Sequence, residues 1–319
     1  MTQQQKLLIT GAGGFVGHHA IREFSDYNVI AFSNEPVNVQ QNKLLVVEGD
    51  ILDKNHLNAI IGSHIPDVVL HLAAVAATWE RKYDDVLKVN MTGTKNIYEA
   101  IIEARKDRTY NPKVIYVSSS EVYGLTTTPE SIKETCPIFP SNPYAASKAA
   151  AEAITQSFAH SGQIEAIVAR PFTHTGVGQR KGFFVPDMAS QIAEIEKDSK
   201  KSKLKVGNLN AIRDFLDVKD VVKAYRALIE TKIEPGEVFN ICSGYGRKME
   251  DILNILMGIS NKKIEVVKEE SRMRQSEVPI FVGNNKKIRK ITKWEPKIDI
   301  TTTLSNALDD WRSKTTLDD

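Results

Sequence analysis

The sequence has little cysteine, no long apolar run and no excess of one charge. Cys136 and Cys242 are the only cysteines in 319 residues, and neither they nor the seven scattered histidines have metal-ligand spacing. We therefore expect inert thiols, a cytoplasmic location and no metal site. No apolar stretch approaches the roughly 20 residues of a membrane span. Because the net charge is only +2, nothing favours nucleic acid or an anionic membrane as a partner.

The remaining pattern is that of an α/β protein with more than one domain. Short apolar strands, such as Leu44–Glu48 and Val68–Leu72, alternate with helical patterns as far as Ile164–Ala169. Because the strands are continuous apolar runs, they predict a doubly wound parallel sheet with both faces buried. Beyond Pro171 the alternation breaks. We predict one domain over residues 1–170, with 212–242 returning to it, and a smaller C-terminal α/β lobe over 171–211 and 243–319.

A glycine-rich turn joins the first strand, Leu7–Thr10, to the first helix. In this setting each glycine has a physical purpose: Gly11 permits the tight turn, Gly14 lets backbone approach a pyrophosphate, and Gly17 lets the helix pack closely on the strand. Strand, turn and helix together predict a Rossmann dinucleotide-binding domain. The predicted cofactor contacts in this turn are Gly11, Gly13, Gly14, Phe15, Val16 and Gly17.

The ends of the next strands supply further candidate cofactor contacts. Ser33 ends the second strand, where an acidic residue would select NAD and a nearby Arg would accommodate NADP. Neither is clearly present, so the choice between the two stays open. Asp50 and Ile51 follow the third strand, where an adenine edge could be held. Leu72, Ala73 and Ala74 follow the fourth strand, and their small side chains suit either close passage of the cofactor or ordinary helix packing.

Tyr144 and Lys148 form the candidate catalytic pair. Four residues apart on a helix, they lie on the same face, where an ammonium would lower the pKa of a phenol. A solvated helix face has the same pattern. Ser118-Ser119-Ser120-Glu121 follows the strand Val114–Val117 and therefore lies at the carboxyl edge of the sheet, where ligands bind. A serine run there could merely cap a helix, but its position shortly before Tyr144 favours catalysis.

Five segments together resemble the extended short-chain dehydrogenase/reductase family that acts on nucleotide sugars. They are Gly11–Gly17, Ser118–Gly124, Tyr144–Lys148, Arg170-Pro171-Phe172 and Arg213-Asp214-Phe215. The resemblance implies that the N-terminal domain binds NAD(P)(H) and that the C-terminal lobe binds the sugar nucleotide.

The resemblance also implies a role for individual residues. Ser119 would hydrogen-bond the sugar oxygen, Tyr144 would be the general acid, and Lys148 would lower the pKa of Tyr144 and contact the nicotinamide ribose. The implied cofactor contacts include Arg170 and Phe172. The implied substrate contacts are Ser119, Ser120, Glu121, Thr173, Arg213, Arg274 and Glu277, the two arginines lying on the diphosphate or nucleotide.

Within that family the substrate half is most similar to the GDP-4-keto-6-deoxy-mannose reductases. The similarity lies in Phe172–Gln179, Val206–Val218, Asn240–Gly244 and Arg274–Pro279. It implies hydride transfer from NAD(P)H to the 4-keto group of a GDP-4-keto-6-deoxy-hexose, giving a GDP-rhamnose-type product. Thr173 and Val177 stand where these reductases usually have Asn and Pro, so the exact sugar stays open.

Three other functions fit the same motifs. Glu121 matches the proton-abstracting Glu of the sugar-nucleotide 4,6-dehydratases, although reductases often have an acidic residue there too. The chain lacks the Arg-rich loop typical of GDP-mannose dehydratases after the second strand, which favours the reductase. A 4-epimerase would use the same Ser, Tyr and Lys with tightly held NAD(P). A regulator or scaffold that has lost catalysis is disfavoured because all three are intact.

By analogy with the family we expect a homodimer formed through residues 83–105 and the Tyr144 helix.

Overall fold

The computed structural model describes residues 4–76, 82–106, 109–126, 131–198, 202–272 and 278–317. The strands are β1 (Lys6–Thr10), β2 (Asn28–Ser33), β3 (Leu44–Glu48), β4 (Val68–His71), β5 (Lys113–Val117), β6 (Glu165–Pro171), β7 (Thr173–Thr175), β8 (Lys203–Val206), β9 (Ile212–Asp217), β10 (Val238–Ile241), β11 (Gly246–Lys248), β12 (Glu265–Lys268) and β13 (Ile280–Phe281). The α-helices are α1 (Phe15–Glu23), α2 (Lys54–His64), α3 (Tyr83–Leu87), α4 (Gly93–Arg105), α5 (Pro143–His160), α6 (Phe184–Lys197), α7 (Val218–Glu230), α8 (Met249–Ile259), α9 (Lys286–Thr292) and α10 (Ile300–Leu317). A π-helical turn, Lys88–Thr92, joins α3 to α4.

Seven parallel strands form the large sheet, in the order β10-β6-β5-β4-β1-β2-β3. This arrangement confirms the predicted doubly wound α/β fold. The strand order reverses between β1 and β4, and such a switch point opens a crevice at the carboxyl ends of the strands. Gly11 follows β1 and Leu72 follows β4, so both lie at this crevice.

Alternate residues of the strands face the two helix layers. Leu7 and Ile9 of β1 belong to a core with α1 and α7, whereas Leu8 belongs to a core with α2 and α4. Strands buried on both faces need apolar residues at successive positions, which explains the continuous apolar runs in the sequence. In the part of the chain that the structure describes, no helix is both long and apolar enough to cross a bilayer.

The prediction that Leu44–Glu48 is a fully buried strand was wrong. β3 pairs only with β2 and lies at the edge of the sheet. Leu45 is 43% exposed and Val46 49% exposed. An apolar run predicts a strand, but the sequence pattern does not tell whether that strand lies inside the sheet or at its edge.

A small sheet builds the second part of the molecule. In this sheet β9 pairs with β7, β11 and β13. Strands β8 and β12 form a separate two-stranded sheet. Helices α6, α8 and α10 pack on these strands around a separate core that includes Ile192, Leu253 and Leu304. This unit agrees with the smaller C-terminal α/β lobe expected from the sequence.

Residues 212–242 divide between the two sheets. We expected them all to return to the large sheet, yet β9 pairs in the small sheet, whereas α7 packs against α1 and β10 pairs with β6. Asp217 marks the junction because it accepts a hydrogen bond from the Lys219 amide (2.8 Å) and another from Thr303 Oγ1 (2.9 Å). It thus ties the start of α7 to α10. The division into two domains at the predicted boundaries stays a prediction.

Candidate active site

Helix α5 presents the candidate catalytic pair. Asn142 caps it by accepting a hydrogen bond from the Ala145 amide at 2.8 Å, and Pro143 fits the first turn because its missing N–H needs no partner there. Its alanine-rich interior favours a helix. With the helical repeat, Tyr144, Lys148 and Glu152 lie along one face.

Two buried charges hold this face of α5 against the ends of β5 and β6. Lys148 Nζ donates to the Val117 carbonyl oxygen at 2.7 Å. Glu152 Oε2 accepts from Ser118 Oγ at 2.8 Å and from Arg170 Nε at 3.1 Å, and Arg170 Nη2 bonds Glu152 Oε1. The helix is therefore fixed relative to the strand that carries Ser119.

Tyr144 is half-buried, and Ser119 is close enough to its phenol to affect its pKa. Burial raises the pKa of Tyr144, the Glu121 charge raises it further, and the approach of Ser119 partly opposes them. We expected Lys148 to lower this pKa, and that effect stays a prediction. The Lys148 ammonium is directed at the Val117 carbonyl and lies over the Tyr116 ring, 5.2 Å from its centroid. Burial lowers the pKa of Lys148 itself to about 7.

Ser119 and Glu121 occupy a tight turn after β5. Ser119 Oγ accepts a hydrogen bond from the Glu121 amide at 3.1 Å and so caps the 3-10 turn Ser120–Tyr123. Ser120 is buried, whereas Glu121 is exposed and accepts from Asn142 Nδ2 at 2.8 Å. The structure thus brings the four residues predicted to be catalytic, Ser119, Glu121, Tyr144 and Lys148, to one edge of the sheet.

The glycine-rich turn has the geometry of a dinucleotide cradle. Gly11 has φ +69°, and a Cβ atom there would lie 2.7 Å from the Ala73 backbone. A Cβ atom on Gly17 would lie 2.5 Å from the Gly11 carbonyl oxygen, and one on Gly13 would collide with the Glu35 backbone. The α1 N-terminus has no side-chain cap and no acidic residue in its first turn, so its amides suit a pyrophosphate. These residues fit NAD(P)(H), although the individual contacts stay predictions.

The other predicted cofactor residues follow neighbouring strands of the same edge. Ser33 is buried and its Oγ accepts from the Glu35 amide at 3.0 Å. Asp50 is exposed, and Ile51 is buried close to Gly93. Leu72, Ala73 and Ala74 are half-buried beside the Gly11 turn, while Phe15 stacks on His174 at 6.2 Å and Val16 packs on the core.

The side chains of Arg170 and Phe172 are buried, and the role of these two residues as cofactor contacts stays a prediction. Arg170 is 3% exposed, and its guanidinium pairs with Glu152 and donates to Tyr123 Oη at 2.8 Å. Phe172 is 1% exposed and packs against the rings of Tyr123 and Phe281 at 6.3 and 5.5 Å. Both side chains are used inside the fold.

The predicted substrate residues lie partly on the small sheet. Thr173 is exposed on β7, next to β9, which carries Arg213. Arg213 is half-buried, and its Nη1 donates to the Ile212 carbonyl at 2.8 Å. Arg274 and Glu277 lie outside the described residues.

Asn90 is a site residue that the sequence reasoning missed. It lies in the π-helical turn and donates through Nδ2 to Ser147 Oγ at 2.8 Å, while its Oδ1 accepts from the Val75 amide at 2.7 Å. Ser147 Oγ in turn donates to the Tyr144 carbonyl at 2.7 Å. Asn90 thus joins the segment after β4 to the Tyr144 helix. The available signal was weak, because Thr94 and Asn96 of the same helical segment are buried polar residues as well.

Comparisons with known proteins agree with this site. A family model described as GDP-mannose 4,6 dehydratase matches residues 8–307. The chain belongs to this family. A GDP-6-deoxy-D-mannose reductase of Pseudomonas aeruginosa is 33% identical over 97% of this chain and 98% of its own length. A GDP-6-deoxy-D-talose 4-dehydrogenase of Aggregatibacter actinomycetemcomitans is 29% identical over 89% of this chain and 90% of its own.

A solved structure leads to the same conclusion about the fold. The structure of RMD from Pseudomonas aeruginosa complexed with NADPH matches with a TM-score of 0.83 and 31% identity, over 98% of this chain and all of the other. Family membership confirms the predicted resemblance to the extended short-chain dehydrogenase/reductases. The chain is therefore an NAD(P)-dependent enzyme of that sugar-nucleotide group.

A pair of glycine substitutions tests the close packing of the glycine-rich turn. Gly17→Ala would place a methyl group against backbone oxygens, so we expect a loss of about 1–3 kcal/mol in unfolding free energy. Gly62→Ala in α2 is the matched control, since no atom lies within 4 Å of its added Cβ, and it should stabilise by up to about 1 kcal/mol. Chemical unfolding and NADPH titration measure both. Equal effects of the two substitutions would contradict the close packing at Gly17.

The burial of Lys148 predicts a specific pH dependence. Its folded-state pKa of about 7 lies below its unfolded value of about 10.4, so the folded state binds fewer protons between these limits. Unfolding free energy should therefore rise with pH across that window. Lys148→Met should flatten the rise, whereas the exposed Lys223→Met should keep it. Urea unfolding at several pH values measures the slopes, and parallel curves for the wild type and Lys148→Met would refute the lowered pKa of Lys148.

Proposed function

We propose that this enzyme is a reductase that transfers a hydride from NAD(P)H to the 4-keto group of a GDP-4-keto-6-deoxy-hexose. The observation that carries the proposal is the meeting of Ser119, Tyr144 and Lys148 beside the glycine cradle. This set lies in a chain that is 33% identical, over nearly its whole length, to a GDP-6-deoxy-D-mannose reductase. The second relative, the GDP-6-deoxy-D-talose 4-dehydrogenase, also acts at position 4 of a GDP-6-deoxy-sugar, as its name states.

Each residue at this edge has a definite task in that reaction. Bound NAD(P)H supplies the hydride to the keto carbon. Ser119 donates a hydrogen bond to the keto oxygen, and Tyr144 transfers its phenolic proton to the same oxygen as negative charge develops there. Burial and the Glu121 charge keep Tyr144 protonated, as a general acid must be at the start. Lys148 positions α5 through Val117 and offers its remaining donors to the nicotinamide ribose.

The proposed substrate contacts come partly from the small sheet and partly from the sequence. Arg213 and, from the sequence, Arg274 would hold the diphosphate, since a guanidinium presents a planar set of donors to anionic oxygens. Glu277 would accept from ribose hydroxyls, and Ser120 and Thr173 would lie near the sugar. Thr173 is exposed and adjacent to β9, which suits a role in selecting the sugar.

A 4,6-dehydratase is the second candidate, and Glu121 is the observation that favours it. The carboxylate is exposed at the edge where Tyr144 lies, as a proton-abstracting base would have to be. The matching family model also carries a dehydratase name. Against it, Asn142 already holds this carboxylate by a 2.8 Å hydrogen bond. A 4-epimerase with tightly bound NAD(P) would use the same Ser119, Tyr144 and Lys148.

Absorbance of the reduced nicotinamide tests the proposal. With GDP-4-keto-6-deoxy-mannose generated in place, we expect loss of NADPH or NADH absorbance that depends on the sugar, and parallel assays reveal the preferred coenzyme. Tyr144→Phe should lower kcat by about 10² to 10⁴-fold while coenzyme binding is retained, because it removes only the transferable proton. The exposed Tyr83→Phe is the matched control and should leave turnover unchanged.

Two other results would contradict the reductase. Steady absorbance together with conversion of GDP-mannose to a 4-keto product would identify a dehydratase. Interconversion of a GDP-sugar and its C4 epimer without net coenzyme consumption would identify an epimerase. Full turnover by Tyr144→Phe would refute the assignment of the proton donor in any of the three reactions.

We further propose a homodimer that buries the outer faces of α4 and α5. The two helices pack side by side on one face of the large sheet, so a second copy could complete a four-helix interface. The molar mass in solution tests this: about 71 kDa for two copies of the 35.6 kDa chain is expected, and 35.6 kDa would refute it. The cytoplasmic location stays a prediction.

A further inference from the structure

One side chain links Glu121 to the start of the helix that carries Tyr144. Asn142 donates through Nδ2 to Glu121 Oε2 at 2.8 Å and accepts through Oδ1 from the Ala145 amide at 2.8 Å. Serine, threonine, aspartate and asparagine can all cap a helix by accepting from an amide. An ionised aspartate has no donor for the carboxylate of Glu121, whereas an amide donates and accepts at once.

The link continues through Ser119 towards the phenol. The Glu121 amide donates to Ser119 Oγ at 3.1 Å, and Ser119 is close enough to the Tyr144 phenol to lower its pKa. Ser119, Glu121, Asn142 and the first turn of α5 are therefore joined by a chain of hydrogen bonds that runs from the Ser119 hydroxyl to the helix turn that carries Tyr144. We name these four parts the Asn142 frame.

We propose that Asn142 is a positioning residue, which holds the Glu121 carboxylate and the first turn of α5 so that the Tyr144 and Ser119 hydroxyls converge on one substrate oxygen. The kinetic test of this inference rests on the proposed function. The inference gives Glu121 a role other than proton abstraction. Glu121 is exposed and would otherwise move freely in solvent, so its fixed position depends on the Asn142 amide. Small displacements of a proton donor are costly to catalysis, which makes such a frame useful.

The effect of the Glu121 charge on Tyr144 can be separated from its effect on position, because the other titratable groups near the phenol can be named. Glu121 faces it from the turn after β5, Tyr116 from β5 and Tyr225 from α7, while Lys148 lies on its own helix and His71 of β4 lies near Lys148. His71 is neutral, since burial lowers its pKa to about 3. Glu121 is thus the anionic carboxylate acting on the phenol. Glu121→Gln removes this charge but keeps an oxygen that can accept from Asn142.

The kinetic test uses four variants and one control in the full chain. Asn142→Ser keeps a helix cap but loses the amide donor, and Glu121→Ala loses the acceptor. We expect each to lower kcat by about tenfold with little change in the KM for NADPH, and the double variant to be no slower than the slower single variant. Glu121→Gln should retain most of kcat and move the alkaline limb of its pH profile to lower pH. Ser141→Ala, an exposed neighbour, is the control.

Additive losses in the double variant, or an unchanged kcat in Asn142→Ser, would overturn the frame. A second measurement does not depend on the reaction: crystal structures of the wild type and the variants report the distance from Tyr144 Oη to Ser119 Oγ. It should lengthen in Asn142→Ser and Glu121→Ala and be kept in Glu121→Gln. If the wild type reduces no keto sugar but these distances behave as stated, only the proposed function fails; an unmoved distance in Asn142→Ser refutes the frame.

Discussion

The site depends on the attachment of one face of α5 to the ends of β5 and β6. Lys148 and Glu152, both buried, bind the Val117 carbonyl, the Ser118 hydroxyl and the Arg170 guanidinium. Burying such charges is costly unless each is paired and hydrogen-bonded, so few alternative arrangements of this helix are acceptable. The geometry of Tyr144 relative to Ser119 follows from this attachment, because Ser119 directly follows Ser118 and Tyr144 lies one helical turn before Lys148.

The parallel sheet brings distant segments of the chain to the edge where α5 is attached. Its strands end at one edge, which brings the Gly11 turn and Ser119 together although more than a hundred residues separate them. The first helix also reaches the small lobe, since Phe15 stacks on His174 and His19 Nε2 hydrogen-bonds the Val177 carbonyl at 2.8 Å. The segment Thr173–Val177 therefore contacts the cofactor helix on one side and continues from the catalytic edge on the other, which suits a substrate-selecting role.

The sequence predicted what depends on local geometry. Gly11 requires a left-handed conformation, and Tyr144 and Lys148 share a helix face by spacing alone. It could not predict what depends on distant partners: nothing local indicates that Glu152 neutralises Arg170. Asn90 was missed because its contacts with Val75 and Ser147 come from the packing of three segments. The direction in which the Lys148 ammonium points is equally non-local.

The protonation of Tyr144 bears on the direction of the reaction. A reductase starts with a reduced nicotinamide ring, which carries no charge, and needs a protonated phenol. A dehydratase or an epimerase begins by oxidising the sugar, so the same phenol must first accept a proton, beside a positively charged nicotinamide that would lower its pKa. Among the groups around Tyr144, Ser119 lowers its pKa, whereas burial and Glu121 raise it more, and Lys148 is turned towards Val117. On balance the protein's own groups hold Tyr144 protonated, which is the form that the proposed reduction needs at its start.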